Sequence, residues 1–407
     1  MIQGEHTVNA LRAQPSLLGK MNEHEVLRVI QQHGPLSRAE VVRQTGLSAP
    51  TVSKAALSLL NSGLLEENDI AESGRGRPAK RLRLASERAQ VFGVVIDAEM
   101  CQVVAAGLDG KLQPDREISF ATPSDYDQLL DKVESIIRPL MAENDLRNLG
   151  IGLSVPGLID YRTQLAVLSP NVPQTNGKTP ALDLQRRLDI DCVMLQECHG
   201  LCLAERHYGL AKGLDDFAML EVGTGVGLGV MSGGTLVTGH NGLAGEIGHI
   251  TVMENGRACG CGNHGCLETV ASDSALAWRV SRKLDKRCNI DRVIDIAISG
   301  KTDISCEIEE NARYLAIGMA CVINLFNPST LFIHGRQFEA DPKLLARLVE
   351  LTSRRTLPPS FSACKILLAR GCKKQGAIAA IIQHLTSAIA PTLAVPSPFF
   401  SRELHGR

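Results

Sequence analysis

The chain has 407 residues, with 43 Lys plus Arg against 44 Asp plus Glu, for a formal charge of −1 at pH 7. At roughly 100–200 residues per domain this is room for two or three domains with cores of their own. A content of 44% hydrophobic and 21% charged residues argues against wholesale disorder. No apolar run approaches the ~20 residues needed to cross a bilayer, and the polar first twenty residues, interrupted by Pro15, do not read as a signal peptide. A cytoplasmic protein is expected, and in that reducing compartment the 12 cysteines are not a disulfide framework. Nine are scattered and read as small buried hydrophobes. The other three cluster.

The near-zero charge hides a basic N-terminal region, with 12 Lys and Arg against 9 Asp and Glu in residues 1–90. Residues 73–88 hold Arg75, Arg77, Lys80, Arg81, Arg83 and Arg88 against Glu87 alone, a local polyanion signal. After an arm of residues 1–20, Val26, Val29 and Ile30 recur at helical spacing until Gly34-Pro35. Ser37 with Glu40 forms a capping box for a second helix ending near Thr45-Gly46. Ser48 caps a third, with Pro50 in its first turn; it buries Val52, Ala56, Leu59 and Leu60 and stops at Gly63.

Two short helices joined by a glycine-containing turn make a helix-turn-helix. The exposed side of the third helix presents Ser48, Ala49, Thr51, Ser53 and Lys54, small or polar groups that fit a major groove about 12 Å wide. A strand from Leu64-Leu65, the loop Gly74-Arg75-Gly76-Arg77-Pro78 and a returning strand Arg81 to Leu84 complete a winged helix-turn-helix over residues 21–86. Arg75 and Arg77 suit a narrow minor groove.

From residue 87 the pattern alternates. Apolar strands are expected at Val91 to Asp97, Gly150 to Pro156, Cys192 to Glu197, Phe217 to Gly223 and Thr330 to His334. Helices fall between them at Tyr126 to Met141, Gly200 to Tyr208 and Ala312 to Phe326. This is α/β architecture, without a dinucleotide fingerprint. Gly223-Thr-Gly-Val-Gly-Leu-Gly229 is either a loop whose backbone N–H groups hold phosphate or a tight glycine hairpin. The segment His249 … Cys259-Gly-Cys261-Gly-Asn-His-Gly-Cys266 can close a tetrahedral Cys3His zinc site, with His264 as the other candidate for the nitrogen ligand. Four filled positions make such a zinc structural. Glu246 and Glu268 bracket the loop, and carboxylates accept hydrogen bonds from the hydroxyls of a polyol or sugar.

Together Gly223 to Gly229, Glu246-Ile-Gly-His249, Cys259-x-Cys261-x4-Cys266 and Cys266-Leu-Glu268 resemble the ROK family of repressors, open reading frames and kinases over nearly the whole chain. The winged helix and the Arg-Gly-Arg-Pro wing are similar to its repressor branch, which includes the glucose, N-acetylglucosamine and xylose repressors. The resemblance implies a two-lobed actin-like domain (hexokinase-type, ribonuclease H-like). Its small lobe would span residues 87–195 and its large lobe 196–390, with a C-terminal helix able to return to the small lobe and a tail at 391–407. It implies a sugar site of Asn171, Glu197, Glu246, His249 and Glu268 bordered by Pro156-Gly157, and a zinc held by His249, Cys259, Cys261 and Cys266.

Two positions depart from the family's kinases. Their Asp-x-Gly-Gly-Thr reads Asp97-Ala98-Glu99-Met100-Cys101 here, which places Glu99 where phosphate would sit. Their Asn-Asp pair, with its catalytic Asp, reads Gln196-Glu197. The expectation is a non-enzymatic repressor of sugar uptake or catabolism genes. It would bind operator DNA as a homodimer or homotetramer and respond to a sugar or sugar phosphate. Some members of the family are titrated by a sugar-transport protein. The alternative, on the intact glycine loop, is an active ATP-dependent sugar kinase with a regulatory DNA-binding domain.

Overall fold

A computed structural model describes residues 15–69, 80–143 and 145–387. The expected wing tip with Arg75 and Arg77, most of the N-terminal arm and the tail lie outside these residues.

The first unit comprises α1 (Pro15–His33), β1 (Leu36–Ser37), α2 (Arg38–Thr45), α3 (Ala49–Asn61), β2 (Leu65–Asp69) and β3 (Lys80–Leu84). Helix α1 starts seven residues before the expected Asn22, because proline is tolerated in a first helical turn. Ser37 and Glu40 satisfy one another's backbone N–H groups as a full capping box, and Gly46 ends α2 at φ +70°. Val26, Leu27 and Ile30 of α1 and Val41 of α2 pack with Val52, Ala56 and Leu59 of α3 and Leu82 of β3, all essentially inaccessible. The strands pair antiparallel in the order β1-β3-β2.

The rest is two sheets with one plan. The first uses β4 (Ala89–Val95), β5 (Met100–Ala106) and β6 (Ile118–Ala121), then α4 (Tyr126–Ala142), β7 (Arg147–Val155), β8 (Leu158–Asp160), β9 (Leu165–Leu168), α5 (Pro180–Leu188), β10 (Cys192–Gln196) and α6 (Glu197–Tyr208). Its order is β10-β7-β4-β5-β6, an antiparallel meander extended by two parallel strands, with β8 and β9 pairing apart. The second uses β11 (Phe217–Val222), β12 (Val226–Ser232), β13 (Thr235–Leu236), α7 (Glu268–Ala271), α8 (Asp273–Leu284), α9 (Ile290–Ser299), α10 (Ser305–Phe326), β14 (Thr330–Gly335), α11 (Leu344–Ser353), α12 (Pro358–Ala363) and β15 (Lys365–Leu368). Its order, β13-β12-β11-β14-β15, repeats the first, again a meander followed by two parallel strands. Both central strands, β4 and β11, are buried along their whole length, as covered parallel sheets require.

The last helix, α13 (Lys373–Ser387), returns to the first sheet and lies across β4 and β7 beside α6. Glycine permits this approach. A Cβ on Gly152 would sit 1.9 Å from the Ala377 carbonyl oxygen, and one on Gly376 would sit 2.8 Å from the Gly200 carbonyl carbon of α6. Burial of Ile378, Ile381 and Ile382 then holds the helix in place. Of the nine scattered cysteines, Cys101, Cys192, Cys198, Cys202 and Cys364 are buried, Cys288, Cys321 and Cys372 half-buried and Cys306 exposed, so the small-hydrophobe reading fails at Cys306.

Candidate functional site

A cleft of about 130 Å³ opens where the ends of β4 and β10, the β11–β12 hairpin, the Ile247–His249 turn and the first residue of α13 meet. Pro156, Gly157 and Asn171 border it, and Glu197, Glu246, His249 and Glu268 face it. Glu197 is the first residue of α6, where the helix N-terminus favours an anion. Gln196 Nε2 donates to Glu246 Oε1 at 2.9 Å. His249 lies between two carboxylates, its Nε2 3.6 Å from Glu246 and its Nδ1 3.8 Å from Glu268. Glu268 reaches this place because Gly225 lacks a Cβ, which would stand 2.8 Å from its Oε2. Carboxylate acceptors beside the Asn171 amide suit a ligand that carries several hydroxyls.

The glycine-rich segment is a tight hairpin: β11 and β12 pair directly, and Gly223 N–H donates to the Gly225 carbonyl at 3.0 Å.

The inner end of the cleft holds residues that the sequence pattern did not single out. Lys373 Nζ lies 2.6 Å from Glu197, 2.9 Å from Glu221 and 3.0 Å from Asp97. Burial alone would lower its pKa, and the carboxylates of Glu197, Glu221 and Asp97 outweigh burial and hold it well above the ordinary lysine value. Burial, with Glu221 adding to it, pushes the Glu197 carboxyl up to about 8. A cation at the first position of a helix opposes the helix dipole, so the three carboxylates, not α13, stabilise the ammonium there. Glu99, expected to stand against phosphate, is instead exposed on the turn between β4 and β5 and is not part of the cleft wall. The charge that fills the space beside Asp97 is the ammonium of Lys373. No motif announces Lys373, which sits 276 residues from Asp97 in sequence.

One wall of the cleft carries a cluster able to hold a metal ion. Ligand atoms of His249, Cys259, Cys261 and Cys266 all lie within 4.8 Å of one another. The sulfurs of Cys261 and Cys266 are 3.8 Å apart, and Cys259 Sγ is 3.5 Å from His249 Nδ1. His249 Nδ1 therefore faces the cluster while Nε2 faces Glu246. His264 is exposed and stands outside the cluster.

On α3, Ser48, Ala49, Ser53 and Lys54 are exposed, and Thr51 is half-buried with its hydroxyl 2.8 Å from that of Ser48. Those two hydroxyls thus complete the start of the helix. The unit is tied to the first sheet. Arg147 of β7 donates to the Asn61 carbonyl at 2.9 Å, and the buried Glu66 accepts from the Glu87 and Arg88 backbone N–H groups. Gln31 of α1 meets His207 of α6 at 3.2 Å.

Residues 91–385 match the model of the ROK family, and residues 20–76 match that of the MarR family. The chain belongs to the ROK family. It is 30% identical over 361 residues to the DNA-binding transcriptional dual regulator NagC of Escherichia coli K12, covering 84% of this chain and 86% of that one. It is 27% identical to the xylose repressor of Bacillus subtilis 168, covering 93% and 99%. Among solved structures, a ROK family transcriptional regulator homologous to E. coli MLC superposes with a TM-score of 0.79 at 24% identity, over 92% of this chain and 98% of that one. The ROK hexokinase of Thermus thermophilus reaches 0.62 at 25% identity, over 74% of this chain and 99% of that one. The match to that kinase covers less of this chain than the match to the regulator. The fold is thus an N-terminal helix-turn-helix followed by an actin-like ROK domain. No helix among the described residues is long and apolar enough to cross a membrane.

Proposed function

We propose that this ROK protein is a sugar-responsive transcriptional repressor of sugar uptake or catabolism genes, acting in the cytoplasm as a homodimer or homotetramer on operator DNA. One observation carries the reading: a single chain joins a winged helix with a small, polar outer face on α3 to a hydroxyl-accepting cleft, through two helices that touch both. Helix α6 begins in the cleft at Glu197 and meets α1 at His207, and α13 begins in the cleft at Lys373 and packs beside both. A sugar held by Asn171, Glu197, Glu246, His249 and Glu268 shifts α6 and α13, and with them the spacing of two α3 helices in an oligomer. It can do so only by binding the two arrangements with different affinity. Lys54, with Arg75 and Arg77 of the basic Arg-Gly-Arg-Pro segment, supplies contacts to phosphate and minor groove; Ala49 and Ser53 face base edges. The name of the xylose repressor supports the repressor reading, and that of the DNA-binding dual regulator supports transcriptional control through DNA.

The metal proposed is zinc. Zn–S bonds of about 2.3 Å place tetrahedral sulfurs about 3.8 Å apart, the separation of Cys261 and Cys266. His249, Cys259, Cys261 and Cys266 would fill the coordination shell, so the ion would supply rigidity alone. It would fix the wall that carries Glu246 and Glu268 and leave His249 Nε2 to a ligand hydroxyl.

Phosphoryl transfer is not part of this function. A kinase needs open space for nucleotide phosphates beside Asp97 and a carboxylate free to take a proton. Here Lys373 fills that space and engages Glu197. The test is selection of DNA fragments from a random pool by the purified protein at about 150 mM salt, followed by release with sugars. Preferred fragments weakened by one sugar are expected. Absence of any preference over random DNA overturns the proposal, and ADP release with a hexose or amino sugar, abolished in Glu197→Gln, would put a kinase in its place.

A further inference from the structure

The inner end of the cleft narrows the class of sugar that this protein can take. We propose, resting on the sugar-receptor reading of the cleft, that Lys373 is a built-in counter-cation that restricts the effector to an unphosphorylated sugar and excludes the corresponding sugar phosphates. An ammonium has three N–H donors and no acceptor. It donates to Glu197 at 2.6 Å and to Asp97 at 3.0 Å, and Glu221 lies 2.9 Å away as a third ion-pair partner, so the ammonium is already engaged by three carboxyl groups. These partners come from the end of β4, the start of α6 and β11, and only 21% of the Lys373 side chain is exposed. The described residues lining the cleft include five carboxyl groups (Asp97, Glu197, Glu221, Glu246 and Glu268) and one ammonium, that of Lys373. A dianion entering here meets more carboxyl groups than cations, in partly desolvated surroundings where such repulsion is weakly screened.

Space leads to the same end. A phosphoryl group added to the ligand hydroxyl nearest Glu197 would have to displace the Lys373 ammonium. A neutral hydroxyl there instead donates to Glu197, an acceptor already in place. Lys373 thus does inside the protein what a bound cation would otherwise do: it neutralises the carboxylates enough for them to share one pocket, and its charge is already committed to them rather than to an anionic substituent.

The experiment is calorimetric titration of the full-length, metal-loaded protein with glucose, mannose, N-acetylglucosamine, N-acetylmannosamine and xylose. The 1- and 6-phosphates of the hexoses and amino sugars, and xylose 1-phosphate, are titrated beside them. At least one neutral sugar is expected to bind, at least 100-fold tighter than either of its phosphates. In Asp97→Asn/Glu221→Gln, which releases lysine donors and removes two negative charges, the ratio of neutral to phosphate affinity is expected to fall at least tenfold. Circular dichroism checks that this variant folds, and the wild-type ratio stands without it. A phosphate bound as tightly as its parent sugar overturns the inference while leaving a sugar receptor intact. Binding of none of these compounds, neutral or phosphorylated, overturns the sugar-receptor reading itself and this inference with it.

Discussion

Replacing Lys373 with Met should expose how much of the cleft's stability depends on one ammonium. The substitution keeps most of the side-chain volume and removes the charge, leaving Asp97, Glu197 and Glu221 to face one another. Removing one partner of a buried ion pair costs about 3–5 kcal/mol. The structure supports a figure in that range by a separate route. Burial, with Glu221 adding to it, already pushes the Glu197 carboxyl up, and Lys373 opposes that rise. In the variant three carboxyl groups remain with no cation among them, and the cheapest relief is for the cluster to take up one proton. For a carboxyl of ordinary pKa about 4.5 this costs about 4 kcal/mol at pH 7.5, falling to about 1.4 kcal/mol at pH 5.5. The variant's native state then binds a proton that its unfolded state lacks, so its stability falls as pH rises. Urea unfolding followed by circular dichroism should show a loss of about 4 kcal/mol at pH 7.5 that shrinks by about 2–3 kcal/mol at pH 5.5, with the slope against urea unchanged. A loss under about 1 kcal/mol at pH 7.5, or the same loss at both pH values, would refute the idea that this ammonium neutralises the cluster.

The remaining expectations concern the metal, the DNA-binding face and the buried histidines. Cys259→Ala with Cys261→Ala should lower zinc from one ion per chain to almost none by elemental mass spectrometry. The single Trp278 reports the loss optically, because Arg257 of the loop stacks over its ring at 4.0 Å; unchanged metal content rejects the ligand set. Lys54→Ala should weaken DNA binding evenly across sequences and reduce the salt slope by about 1, whereas Ser53→Ala should alter sequence preference, both read by fluorescence anisotropy. His199 and His207 are pushed down to about 4, by burial first in each case. Both are neutral in the fold and gain protons only on unfolding between pH 6.5 and 4. Stability should therefore drop across that window as pH falls, by about 3 kcal/mol per histidine. Replacing His207 with Gln should flatten this dependence, and an unchanged pH profile in that variant would show the histidine is not the sensor.

The features legible in the amino-acid order are local ones. Ser37, Glu40 and Gly46, and then Ser48 with Pro50, place two helices and the turn between them, because caps act over three or four residues and need no distant partner. The metal cluster was legible for a similar reason: three of its ligands lie within eight residues on a glycine-rich loop, and the fourth is ten residues upstream. The repeated strand pattern indicated an α/β chain, but not that its two sheets share one order. The inner end of the cleft, by contrast, exists only once the chain has folded. Asp97, Glu197, Glu221 and Lys373 come from four distant segments and carry no shared spacing. They meet because α13 turns back onto the first sheet, and that return depends on contacts of Gly152 with Ala377 and of Gly376 with Gly200, which no local pattern encodes. Glu99 shows the converse. It is two residues from Asp97 yet exposed, since the four-residue connection between β4 and β5 directs its side chain away from the cleft. Charge adjacency along the chain is a property of the sequence; charge adjacency in space is set by which backbones can approach closely enough to bring the groups together.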